Sequence, residues 1–302
     1  MKSEQITGEV RLLIDAKNEI GECVLWCDRM RCVWWTDIAS SMLWRHQPDS
    51  GVTRSWPMPE RVGSFALTEN EERLLLGLAS GLAWFDLPSG RVRHICKVEA
   101  ELPSTRLNDG RCDRQGRFVF GTCDEARPKS KIGSFYRLNT DLSLEKLPLP
   151  TAAIPNSICF SRRGDRLFYC DSTVQSILAC DYDPMSGEVG APRLFADLAA
   201  EPGVPDGSAI DAEDFLWNAQ WGGSRLVRYA PDGKVDRILS VPALQPSCVA
   251  FGGANLDELF ISSAREDIPQ EALRRRPDEG GLFHSVMAGI RGLPESRFAG
   301  VW

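Results

Sequence analysis

NSICFSRRGDRLFYCDSTVQSILACDYDPMSGEV, residues 156–189, decides the fold. A polar side chain opens an apolar run (SICF), the chain turns through RRGD, and a second run (LFYC) follows. A turn of small residues leads to a third run (ILACDY), which stops at DPMSG. Short runs of β-branched, aromatic and aliphatic residues between Gly, Pro, Asp and Asn clusters read as strands. The same frame recurs from Glu22 (ECVLWCDRMRCVWWTD), Ser64 (SFALTENEERLLLGL), Asn108 (NDGRCDRQGRFVFGT), Asp206 (DGSAIDAEDFLWNAQW) and Ser247 (SCVAFGGANLDELFISSA). These openings lie 42, 44, 48, 50 and 41 residues apart. Four short strands repeated at that period are the signature of a β-propeller. The expected fold is therefore all-β, a six-bladed β-propeller, with residues 1–302 forming a single domain because no linker interrupts the series. The stretch ITGEVRLLIDA, residues 6–16, precedes the first copy and is a spare strand, expected to complete the last blade and close the ring. Helical character is confined to a short charged stretch at residues 269–276.

Composition narrows the function. The chain has 302 residues and a formal net charge of -7, which argues against partners that recruit clustered Lys and Arg, namely nucleic acid and anionic membrane. The first residues contain no apolar signal segment, and no window approaches the roughly 18 apolar residues that span a bilayer. A soluble, cytoplasmic, monomeric protein is expected. The ten cysteines then belong to a reducing compartment. They sit in strand-like runs without a CxxC pair, and read as small buried hydrophobes rather than zinc ligands. Nucleophilic esterase chemistry is disfavoured, since there is no GxSxG elbow and there are only three histidines. His46 is expected at a solvent-facing turn and His94 on an outer strand.

The repeat also locates a site. Equivalent positions of a propeller lie at one height around one axis, so the six openings Glu22, Ser64, Asn108, Asn156, Asp206 and Ser247 should face one channel mouth. Two carboxylates brought together raise one another's pKa, and a divalent cation relieves the repulsion. Oxygen-only ligation favours Ca²⁺, Mg²⁺ or Mn²⁺, with Zn²⁺ also open. The bland alternative is a wet channel lined by polar side chains.

Five separated stretches then carry a resemblance: GECVLW from Gly21, RLNDGRCDRQGRFVFGT from Arg106, PNSICFSRRGDRLFYCDS from Pro155, PDGSAIDAEDFLWNAQWGG from Pro205 and PSCVAFGGANLDELFISSA from Pro246. In this order they resemble the gluconolactonase and senescence-marker-protein family, which includes regucalcin, sugar lactonases and the luciferin-regenerating enzyme. The resemblance covers the chain from about Glu22 to about Arg265. It implies a propeller holding one divalent metal ion, calcium first and zinc, manganese or magnesium as alternatives. Glu22, Asn156 and Asp206 match the family's metal ligands. Arg106 and Asn108 match its substrate-binding pair, and Glu125 falls near its acidic substrate-side residue, with Ala126 at that place in another alignment. Two departures stand beside the ligands. Cys23 lies in GECV where the family has GEGP, and Ser157 follows Asn156 where the family has glycine.

The activity implied is hydrolysis of a sugar lactone, an aldonolactone of a pentose or hexose, to its acid. Asp206 is expected to serve both as ligand and as general base, Arg106 to grip hydroxyl or lactone oxygens, and Asn108 to orient water or substrate. The alternative is a non-catalytic calcium-binding, regulatory propeller. The segments 124–131 and 201–204 are expected to shape the pocket.

Overall fold

The structure, a computed structural model, describes residues 4–5 and 9–301. Its strands form six sheets, five of four strands and one of five. The fourth blade shows the pattern. Pro155–Phe160 is innermost, followed outward by Arg166–Asp171, Ser176–Asp181 and Arg193–Asp197, all antiparallel. The other inner strands are Gly21–Cys27, Val62–Leu67, Thr105–Cys112, Val204–Ile210 and Gln245–Gly252. Each contacts the inner strand of the next blade, and the sixth contacts the first. The six-bladed β-propeller expected from the repeat is therefore the fold observed.

Closure follows the sequence reading. Arg11–Ile14 is the outermost strand of the sixth blade, antiparallel to Leu282–Val286 with Arg11 opposite His284. Residues 6–8 of the quoted stretch lie outside the described residues. Because the two ends of the chain share one sheet, opening the ring requires breaking that ladder, and no inner edge is left to pair elsewhere. A second pairing has no counterpart in the repeat: Glu4–Gln5 runs parallel to Val235–Ser240 at the rim of the fifth blade.

The hydrophobic core lies between blades rather than at the axis. Trp34 and Trp56 of the first blade stack with centroids 5.4 Å apart, and Trp56 meets Phe85 of the second edge-on at 6.2 Å. Trp26 stacks on Phe260 of the sixth blade at 5.2 Å. Trp56 is only partly buried, and each fully buried ring, such as Trp34, Phe85 and Phe260, contributes on the order of 2–3 kcal/mol. His46 corrects an expectation. It lies within the strand Met42–Gln47, is 4% exposed, and its Nδ1 bonds Thr53 Oγ1 at 2.8 Å. His94 lies on the outer strand Arg91–Lys97, as expected. All ten cysteines are free, and all but Cys96 are buried.

The inner strands begin at one channel mouth and end at the other, where the C-terminal segment crosses. Gly292 pairs with Asp211, Arg114 Nη1 donates to Ser296 Oγ at 3.1 Å, and Phe298 pairs with Thr68 while packing on Trp84. Glu295 lies 3.5 Å from Arg111, which projects from the far end of the third inner strand. This segment therefore ties the second, third and fifth blades together at that end. The helical stretch is Gln270–Arg275, and no helix of the described residues is long and apolar enough to cross a membrane.

Candidate active site

All six inner strands share one irregularity. The register shifts between Glu22 and Leu25, Val62 and Ser64, Leu107 and Gly110, Asn156 and Cys159, Pro205 and Ser208, and Pro246 and Cys248. A bulge re-aims the side chains beside it. Repeated six times at one height, it interrupts the ordinary alternation beside every opening residue.

Four of the six openings reach a common pocket of about 580 Å³, a volume suited to a small molecule: Glu22, Asn108, Asn156 and Asp206. Ser64 and Ser247 do not. Ser247 Oγ bonds Gly21 O and Ser262 Oγ, and Ser64 is fully buried against its neighbours. Serine is too short to leave the wall, so these two openings serve packing between blades. This corrects the expectation of six inward polar groups.

A continuous hydrogen-bonded chain links the site. Arg106 Nη1 donates to Asn108 Oδ1 at 2.7 Å, and Asn108 Nδ2 donates to Asn156 Oδ1 at 3.1 Å and to Pro155 O at 2.9 Å. Asn156 Nδ2 donates to Ser172 Oγ at 2.9 Å, and Ser172 Oγ donates to Pro205 O at 2.7 Å, next to Asp206. On the outer side, Arg106 Nε donates to Glu125 Oε1 at 3.1 Å, and Arg61 grips Glu125 with both terminal nitrogens, Nη2 to Oε2 at 2.7 Å. Glu125 therefore lies in the pocket, beside Arg106.

The electrostatics centre on Glu22 and Asp206, two carboxyl groups that line the same pocket. Asp206 is 4% exposed, and burial followed by repulsion from Glu22 and Asp109 raises its pKa well above the carboxylate range. Glu22 moves the same way, through burial and then Asp109. Asp109 itself is pushed up to about 6, chiefly by burial, while its Oδ2 accepts the N–H of Ile158 at 2.7 Å. Such a pair must share a proton or a cation. Among the described residues no three His, Cys, Asp or Glu side chains form a metal-binding group. The fit therefore depends on amide oxygen. Glu22, Asp206 and Asn156 line one pocket and offer only oxygen, a donor set that suits a hard divalent ion.

The residues after two of these groups are strained. Cys23 has φ 49° and Ser157 φ 59°, values that favour glycine. Both side chains compensate by holding the next blade. Cys23 Sγ accepts the N–H of Phe65 at 3.3 Å, and Ser157 Oγ donates to Asp206 O at 2.6 Å. Gly207, after Asp206, is required by close approach, since a Cβ there would lie 2.7 Å from Cys248 Sγ.

Of the two segments expected to shape the pocket, 124–131 contributes Glu125, Arg127 and Lys129 to its lining, and 201–204 contributes Val204 alone. In 124–131, Asp124 accepts the N–H groups of Ala126 and Ser130, and Arg127 reaches Asp267 of the sixth blade at 3.3 Å. Val204 lines the wall nearby. Sequence reasoning missed Arg61, Asp109, Ser172 and Trp221, which also belong here. Asp109 was legible as the acid of RLND, and Trp221 from its place in the repeat. Nothing local marks Arg61, which lies in the link between blades.

Comparison with known proteins agrees with this fold. Residues 20–265 match the family model described as SMP-30/Gluconolactonase/LRE-like region. The chain is 51% identical to an L-arabinolactonase of Azospirillum brasilense over 97% of this chain and 96% of that protein. It is 31% identical to a regucalcin of Gallus gallus over 94% and 96% of the two chains. The crystal structure of a regucalcin from Agrobacterium tumefaciens, described as a calcium-binding protein, superposes with a TM-score of 0.91 at 28% identity, covering 96% of this chain and 97% of that one. The motifs quoted from Gly21 to Ala264 and the propeller that unites them thus have one explanation: the chain belongs to the SMP-30/gluconolactonase/LRE-like family.

Proposed function

We propose that this chain hydrolyses a sugar lactone, a pentono- or hexonolactone, to the open aldonic acid, with one divalent cation held by Glu22, Asn156 and Asp206. The observation that carries the reading is the meeting of Glu22, Asn108, Asn156 and Asp206, from four different blades, in one pocket beside the Arg106–Glu125 pair. The L-arabinolactonase relative supports the substrate class. Calcium is the first choice of ion, with zinc, manganese and magnesium as alternatives. When bound, the ion would polarise the lactone carbonyl and make water more acidic.

The chain's own residues divide the remaining work. Arg106 presents a rigid fork whose orientation is set by Asn108 Oδ1 and Glu125, so its donors can hold the lactone oxygens. Glu125 accepts from ring hydroxyls. Asn108, fixed by Pro155 O and Asn156, orients the attacking water. Asp206 takes a proton from that water as its oxygen adds to the carbonyl carbon, and the proton passes to the ring oxygen as the ester C–O bond breaks. The products are one hydroxyl and one carboxylic acid, which balances the water consumed.

The test is acid release from a panel of pentono- and hexonolactones, followed with a pH indicator, with and without chelator. Chelator-sensitive release restored by one of the four ions is the expected result. No release from any lactone by ion-loaded protein would refute the enzyme and leave a calcium-binding propeller, a reading supported by the likeness to the calcium-binding regucalcin of Agrobacterium.

A further inference from the structure

The repeat singles out one residue that the reaction has not used. The last residue of the second strand in each blade pairs with the start of the inner strand. These residues are Asp37 opposite Gly21, Leu78 opposite Val62, Asp124 opposite Thr105, Asp171 opposite Pro155, Trp221 opposite Val204, and Ala264 opposite Gln245. Three are aspartates, and each accepts backbone N–H bonds: Asp37 from Glu19 and Ile20, Asp124 from Ala126 and Ser130, Asp171 from Ala153 and Ile154. An indole cannot accept such bonds, so Trp221 does not serve as this clamp.

Nor does it serve the core. Trp26, Trp34, Trp35, Trp44, Trp56, Trp84 and Trp217 each pack against another aromatic ring. Among the described residues, Trp221 is the tryptophan without an aromatic partner, and it lines the pocket half-buried. It belongs to the fifth blade. Arg61, which enters the second, lies three blades away across a ring of six, and Arg106 and Glu125 belong to the third. Trp221 is thus the one aromatic side chain among the described residues of the pocket lining, and the charge-paired Arg61, Arg106 and Glu125 line it from blades two and three places away around the ring.

We infer that Trp221 is the platform for the sugar ring. A pyranose or furanose ring has faces of C–H bonds and an edge of hydroxyls. Its C–H face lies on the indole, and its hydroxyl edge turns toward Glu125 and Arg106. The ligand class selected is a lactone with one ring face free of axial hydroxyls. This deepens the sugar-lactone reading and rests on it for the identity of the ligand.

The test separates the two. A cyclic sugar ether without a carbonyl, 1,5-anhydroglucitol, is titrated into ion-loaded protein by calorimetry and by tryptophan fluorescence, alongside kinetics on a hexonolactone. Trp221→Leu should weaken ether binding and raise KM by about five- to tenfold, with kcat changed far less. The ligand-dependent fluorescence change should vanish, and Trp221→Phe should bind with intermediate affinity. Ether binding by Trp221→Leu as tight as by the wild type, at matched thermal stability, would overturn the platform. So would a wild type that binds no ether. If the leucine variant melts early, the phenylalanine variant decides by the same comparison. A wild type that binds the ether through Trp221 but turns over no lactone would support the platform while refuting the hydrolase.

Discussion

Asp171 Oδ1 accepts the backbone N–H of Ile154 at 3.2 Å, which fixes the chain two residues ahead of Asn156. Asp37 Oδ1 does the same for Ile20 at 3.0 Å, two residues ahead of Glu22. Two of the proposed ion ligands are therefore held by aspartates that never enter the pocket. Asp171→Ala should cost about 1–3 kcal/mol, because the N–H groups of Ala153 and Ile154 lose their acceptor. Denaturant unfolding measures this. Displacement of Asn156 should also lower kcat/KM by up to about 100-fold, and unchanged turnover would show that the clamp has no part in positioning.

The same carboxyl group gives a pH dependence. Burial pulls the pKa of Asp171 upward, but hydrogen bonds from Ala153, Thr173 and Ile154 outweigh it and leave the group below the usual aspartate value. A depressed folded-state pKa contributes stability above the unfolded value of about 3.9 and loses it as pH falls through the lower folded value. The stability gap between wild type and Asp171→Asn should therefore be full near pH 7 and shrink below about pH 4. Unfolding free energies measured from pH 7 down to pH 3 check this; a gap that widens on acidification contradicts it.

Asp206→Asn should lower kcat by about 100-fold or more, the usual contribution of a positioned base. The fold should survive, because the amide removes one of two mutually repelling buried carboxylates without changing shape. Thermal melts and lactone kinetics on one preparation separate these effects. Turnover near the wild-type rate would remove Asp206 from the chemistry.

Arg106→Lys keeps the charge and loses the fork. The lysine cannot reach Asn108 Oδ1, Leu107 O and Glu125 Oε1 together, as the arginine does. A fall of about 10- to 100-fold in kcat/KM is expected, the equivalent of one charged hydrogen bond. An active lysine variant would mean that charge alone suffices.

Ser157 separates strain from positioning. Ser157→Gly relieves φ 59° but gives up the bond to Asp206 O, so stability should change by less than about 1 kcal/mol. Ser157→Ala keeps the strain and loses the bond, and should be the less stable of the two by about 1 kcal/mol. Both should lower kcat modestly, since both remove one of the two side-chain bonds to Asp206 O and leave only that from Asn218 Nδ2. Equal stability of the two variants would mean that the left-handed φ is not costly here.

The sequence by itself determined the six-fold repeat, the closing strand Arg11–Ile14, and the four side chains Glu22, Asn108, Asn156 and Asp206 at one height. These were legible because a propeller places equivalent repeat positions around one axis, so spacing along the chain becomes position in space. Tertiary structure decided what the period does not encode. Ser64 and Ser247 share the frame of Asn108 and Asp206, yet their short side chains stay in the wall. Arg61, from an irregular link, meets Glu125 sixty-four residues away because adjacent blades put their connections side by side. The shared, displaced titration of Glu22 and Asp206 arises only when two distant strands bury their carboxylates together, since burial and repulsion act through space and leave no local mark.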